Sequence, residues 1–133
     1  MTTPTDLSRL MLGTAPDSWG VWFPQDAHQV SWRQYLDELP QAGYVWTELG
    51  PQGFLPQDPA QLRDELERRG LKVCGGTVFA SLHQGKEALD NAKEEFGREA
   101  RLLREVGAKY LVHLPTQYTD MHTGAATEGA DLG

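Results

Sequence analysis

Leu71-Lys72-Val73-Cys74-Gly75-Gly76-Thr77-Val78-Phe79 is the stretch whose reading decides the fold. It is short, apolar and β-branched, and Gly70 stands just before it, so it predicts a strand, weakened or bulged at its paired glycines. Downstream, a helical pattern runs from about residue 84 to residue 106. Leu89, Ala92, Phe96, Leu103 and Val106 share one face, and Gly107 closes it. Lys109-Tyr110-Leu111-Val112-His113-Leu114 then predicts a further strand. A strand, a helix long enough to cross over and a second apolar strand make a parallel βαβ unit.

The same unit recurs upstream. Arg9-Leu10-Met11-Leu12-Gly13-Thr14 predicts a first strand, and Tyr44-Val45-Trp46-Thr47-Glu48-Leu49 a second. Between them Trp32, Tyr35, Leu36 and Leu39 recur on one helical face, with Ser31 and Gln34 spaced as a capping box and Pro40 near the end. Asp58-Pro59 starts another helix, with Leu62 and Leu66 inward and Gly70 at its end. The order βαβαβαβ predicts an α/β fold with four parallel strands and three crossover helices, the strands apolar enough to be covered on both sides. Residues 1–8 read as an N-terminal tail, 9–115 as the domain and 116–133 as a loop or tail.

Composition narrows the function classes. The chain has 133 residues, 39% of them hydrophobic and 23% charged, with net charge −7. That excludes a low-hydrophobicity disordered chain, and with no basic tract beyond Arg68-Arg69 it argues against nucleic acid and anionic membrane as partners. No run of about 18 apolar residues predicts a membrane span, and the first residues lack the pattern of a secretory leader. A single cysteine, Cys74, forms no internal disulfide, which makes a cytoplasmic location the simplest expectation. Its strand position predicts a buried, inert thiol. His28 and His122 read as surface residues, and Glu87, Asp90, Glu94 and Glu95 as the solvated face of the long helix.

The polar residues gather at one end. Trp19 follows the first strand, Glu48 lies near the end of the second, His83 follows the third and His113 lies near the end of the fourth. Carboxyl ends of parallel strands are where ligand sites form in open sheets and barrels alike. Neither a G-x-G-x-x-G fingerprint nor a Walker A loop follows the first strand. Repeats of roughly 30 to 40 residues suit a barrel, and half of an eight-unit barrel of ~250 residues is close to this length. The expected fold is therefore half a barrel, or a smaller sheet built the same way.

Three motifs make this specific: Gly13-Thr14-Ala15-Pro16-Asp17-Ser18-Trp19-Gly20-Val21-Trp22, Ala42-Gly43-Tyr44-Val45-Trp46-Thr47-Glu48-Leu49-Gly50, and Arg69-Gly70-Leu71 leading to Gly75-Gly76-Thr77. Together they resemble the sugar phosphate isomerase/epimerase superfamily, and within it inosose dehydratases and their relatives in inositol breakdown. The resemblance covers roughly residues 8 to 115. It implies the N-terminal half of a xylose-isomerase-like (β/α)8 TIM barrel that binds a divalent metal, manganese or cobalt, and moves a proton beside the carbonyl of a polyol or keto-sugar. The family's metal ligands, two Glu, an Asp and a His, come from later strands, so the resemblance implies that they are absent from this chain and that the isolated chain is inactive.

Onto that pattern Trp19, Glu48, His83 and His113 map as substrate-facing groups. Trp19 would pack on the C–H face of a ring, or else serve as a core aromatic beneath the first loop. Glu48 would accept hydrogen bonds from hydroxyls or act as an acid or base, or else brace neighbouring loops. His83 and His113 would bond a hydroxyl or carbonyl or shuttle a proton, His113 having a satisfied interior histidine as its competing reading. The alternative function is a non-catalytic half-barrel that self-associates and binds a sugar-like ligand or serves assembly. A half-barrel leaves strand edges and an apolar inner face open, which either a second copy or a missing C-terminal half would cover.

Overall fold

The computed structural model describes residues 10–24 and 26–115. The expected tails at residues 1–8 and 116–133, and His122, lie outside the described residues. The order is β1 (Gly13–Thr14), a 3-10 turn (Pro16–Trp19), α1 (Trp32–Gln41), β2 (Trp46–Glu48), α2 (Pro59–Glu67), β3 (Lys72–Phe79), a second 3-10 turn (Leu82–Gln84), α3 (Lys86–Glu105) and β4 (Tyr110–Leu114). All strand pairs are parallel and the sheet order is β1-β2-β3-β4. Four parallel strands laid down in sequence with three crossover helices are the N-terminal half of a TIM-barrel-like α/β fold.

Local chemistry sets the helix starts. The Ser31 hydroxyl accepts from the Gln34 backbone N–H at 3.2 Å, and the Asp58 carboxylate from that of Gln61 at 2.8 Å. Each satisfies an amide that the first helical turn leaves without a partner. Only half of the capping box forms at Ser31, because the Gln34 side-chain amide donates forward to Glu38 at 2.9 Å. Pro40 stands in the last turn of α1, and the helix ends one residue later.

All three helices cover one face of the sheet. Tyr35, Leu36, Leu39, Leu62, Leu66, Leu102 and Leu103 meet Val73 of β3 in one core. Each fully buried leucine contributes about 2 kcal/mol. The opposite face differs from the expectation of strands covered on both sides: Phe79, Tyr110, Val112 and Leu114 are exposed, Tyr110 by 69%. Four strands are too few to curl onto themselves, so the concave face stays open among the described residues. The first strand is also shorter than expected, since Leu10, Met11 and Leu12 are exposed and only Gly13–Thr14 pairs with β2. On α3, Leu89, expected on the same face as Ala92 and Phe96, is exposed by 41%.

The bulge expected around the paired glycines lies one residue earlier. Thr47 pairs with Val73 but Glu48 with Gly75, so Cys74 is the extra residue. The extra residue reverses the parity of β3: Val73 and Val78, five residues apart, both pack in the core, so Thr77 comes to the open face beside Glu48, which alternates there with buried Thr47.

Candidate functional site

At the carboxyl ends of the strands lies a cleft of about 170 Å³. Ala15, Pro16 and Asp17 after β1 form one wall, Glu48, Gly50 and Pro51 at the end of β2 the floor, and Thr77, Phe79, Val112 and Leu114 of β3 and β4 the other wall. Trp22 stands at the rim. A larger cavity of about 410 Å³ opens at the other end, among Trp46, Leu66, Gly70, Lys72 and Val106. That end holds the amino ends of the strands, which in barrels serves stability while chemistry gathers at the carboxyl ends.

Glu48 is half-buried in the cleft, and the Thr77 hydroxyl donates to its Oε2 at 3.4 Å. The pair presents a carboxylate acceptor and a hydroxyl that both donates and accepts. Behind it, on the helix side, the Tyr35 hydroxyl meets Thr47 Oγ1 at 2.5 Å, and Thr47 Oγ1 donates on to the Glu48 carbonyl at 2.8 Å. Tyr35 is fully buried, and burial holds its phenol protonated far above the ordinary range. The backbone that carries Glu48 is thus tied into the core.

The other three candidate residues sit elsewhere. Trp19 packs edge-on against Tyr35 at 5.1 Å between ring centroids and against Tyr44 at 6.3 Å, and its indole N–H donates to Glu38 Oε2 at 2.7 Å. Hydrogen bonds from Gln34 and from Trp19 hold the Glu38 carboxyl below its usual range. This is the core-aromatic arrangement, and Trp22, exposed by 55% in the same loop, is the tryptophan that borders the cleft. His113 alternates with Val112 and Leu114 and so faces α3. Its ring lies 5.6 Å from that of Phe96, and its Nε2 is 3.0 Å from the Ala80 carbonyl. His83 is exposed in the turn after β3. Of the four, Glu48 alone lines the cleft.

Asp17, Trp22 and Thr77 were not singled out by sequence reasoning. The signal for Thr77 was strand parity, since it alternates with Val78 on a strand whose neighbour Glu48 faces the same way. Cys74 is half-buried, its thiol donates to the Thr47 carbonyl at 3.3 Å, and burial together with the nearby Glu48 pushes its pKa up. Cys74 is therefore less buried than the sequence predicts, and the raised pKa disfavours its thiolate.

The donor set does not fit a divalent metal. Among the described residues no three His, Cys, Asp or Glu side chains come together in a way that would hold one, and the cleft offers only Glu48 and Asp17. Among the described residues no helix is long and apolar enough to cross a membrane.

No family model matches the chain. It is 28% identical over 104 residues to the inosose dehydratase of Yersinia enterocolitica, covering 77% of this chain and 34% of that protein. It is 31% identical over 102 residues to that of Lacticaseibacillus casei, covering 76% and 33%. The rhizopine catabolism protein MocC of Rhizobium meliloti is 35% identical over 83 residues, covering 62% and 24%. The chain therefore spans about a third of the length of the inosose dehydratases it matches. A half-barrel with a partial, low-identity match to several inosose dehydratases is consistent with the sugar isomerase/epimerase superfamily and fixes no single enzyme.

Proposed function

We propose that this chain is the substrate-orienting half of a sugar or cyclitol isomerase, epimerase or dehydratase. The observation that carries the reading is Glu48, which lines the strand-end cleft and accepts there from Thr77, a residue brought to that face by the bulge in β3. In this role Glu48 and Thr77 bond adjacent ring hydroxyls, and the Trp22 indole packs on the ring's C–H face. The proton beside the carbonyl is moved by groups of a second half. His83 and His113 are proposed as later contacts of that pocket, reached only if the strand ends rearrange, and Trp19 as the residue that fixes the loop bearing Trp22. The relatives' shared name supports an inosose or similar keto-polyol as the ligand.

Saturation-transfer NMR with millimolar inosose tests this. Transfer to ring C–H protons that is lost in Trp22→Ala and weakened in Glu48→Gln is the expected result. No transfer to the wild-type chain overturns the orienting role. Dehydration or isomerisation by this chain alone, with manganese supplied, would overturn the division of labour between two halves.

A second reading rests on the open concave face with Phe79, Tyr110, Val112 and Leu114 exposed. In it two copies cover one another as a non-catalytic, sugar-binding assembly. Native mass spectrometry separates the two, since this reading requires a species at twice the 14.8 kDa chain mass.

A further inference from the structure

Glu99 is the residue that neither the cleft nor the proposed chemistry uses. It lies on the buried face of α3, 2% exposed, and its Oε1 has no hydrogen-bond partner. Its carboxyl rests directly on β3 at Gly76, where a Cβ would collide with Oε1. Gly76 is thus the notch that admits the carboxyl into the seam between helix and strand. Around it Ala92, Leu102 and Leu103 are buried, and half-buried Phe96 lies one turn away.

Among the described residues no ionic partner answers this carboxyl. On β3, Lys72 is exposed at the far end and the Cys74 thiol is engaged with Thr47. On β4, Tyr110 is exposed and His113 is engaged at the Ala80 carbonyl. His83 in the adjoining turn is exposed, and Arg63 and Glu67 of α2 border the cavity at the far end of α3. On α3 itself Glu95, one turn before, carries the same sign of charge, while Arg98 is exposed. Burial is the one influence on Glu99, raising its pKa from 4.5 to about 7.

We propose that Glu99 makes the α3–β3 seam a proton-dependent latch, closed while the carboxyl carries its proton and loosened when it ionises. An uncharged carboxylic acid fits an apolar notch at modest cost, whereas a carboxylate there gives up hydration and, among the described residues, meets no cation in exchange. β3 carries Thr77 on its other face, so the latch backs the cleft wall, although it does not depend on which ligand the cleft takes.

The sign follows from proton linkage. The folded chain holds this proton more tightly than the unfolded chain, so stability falls as pH rises from about 4.5 to about 7 and levels off above. Urea unfolding of the wild-type chain and of Glu99→Gln, from pH 4.5 to 8.5, reads the difference between them. The expected result is a wild-type unfolding constant that rises against that of the variant by roughly two orders of magnitude across this window. Parallel curves overturn the proposal. Carbon-13 NMR of the Glu99 carboxyl in the wild-type chain gives a measurement that needs no variant. A titration midpoint near 7 supports the latch, and one near the ordinary carboxyl value overturns it.

Discussion

Replacing Tyr35 by Phe and Thr47 by Val, singly and together, interrogates the tie between the core and the strand that carries Glu48. The Tyr35 hydroxyl donates to Thr47 Oγ1 at 2.5 Å, and that hydroxyl donates in turn to the Glu48 carbonyl at 2.8 Å. Both side chains are fully buried, so neither finds water when its partner is removed. Tyr35→Phe removes one neutral hydrogen bond and leaves Thr47 still donating, which costs about 1 kcal/mol. Thr47→Val strands the buried phenol without an acceptor and also frees the Glu48 carbonyl, which costs about 2 to 3 kcal/mol. In the double variant the stranded phenol is gone as well, so the total is about 2 kcal/mol, well below the sum of the singles. The coupling energy is then on the order of 1 to 2 kcal/mol. Urea unfolding at neutral pH measures it, since burial keeps the phenol protonated there, and an unchanged denaturant slope confirms that the unfolded reference is the same. Single-variant effects that add to within about 0.5 kcal/mol would show that the two hydroxyls are independent.

Gly50 has φ +72°, and a Cβ placed on it would run into the Pro16 ring. Gly50→Ala is expected to destabilise the chain by about 2 kcal/mol or more and to displace the loop after β1 that walls the cleft, read by urea unfolding together with the indole NMR signal of Trp22. Asp58→Ala removes the acceptor for the Gln61 amide at the start of α2 and is expected to cost about 1 kcal/mol, while Asp58→Asn retains most of the stability. Thermal unfolding of both variants distinguishes this from a charge effect, in which alanine and asparagine would behave alike.

Much of the fold is legible because short-range chemistry specifies it. Ser31 and Asp58 are read as helix starts and cap α1 and α2, and the glycines at 70 and 107 follow the last turns of α2 and α3. The bulge is legible only as to neighbourhood, because glycine pairs mark weakness in a strand while the partner strand decides which residue is extra. The site was harder to read because facing, more than position along the chain, decides what a strand-end residue meets. His113 and Leu114 both end β4, yet parity sends one to Phe96 on α3 and the other to the cleft. Trp19 and Trp22 lie three residues apart, and the turn Pro16–Trp19 commits the first to Glu38 while the second stays at the rim. Glu99 did leave a trace. It falls on the apolar stripe of α3 between Phe96 and Leu103, the spacing at which a buried side chain is expected.

The two faces of β3 join these observations. Its Gly75-Gly76 step carries no side chains, and each glycine admits a different neighbour. A Cβ on Gly75 would stand 2.8 Å from the Tyr110 carbonyl, so glycine there lets β4 come close, and glycine at 76 lets Glu99 in from behind. Glu48 pairs with Gly75 on the cleft side. Two carboxyl groups thus approach neighbouring residues of one strand from opposite sides. One is half-exposed with a hydroxyl donor, and the other is buried with its Oε1 unpartnered among the described residues. Environment, more than residue type, separates their chemistry: Glu48 is equipped to accept from a ligand hydroxyl, whereas Glu99 is equipped to keep its proton. A side chain at residue 75 would push β4 away and open the wall made by Val112 and Leu114, and one at residue 76 would evict Glu99 and leave Thr77 in place. The same glycine pair that weakens the strand in sequence is therefore what lets the cleft wall close on one side and the helix seat on the other.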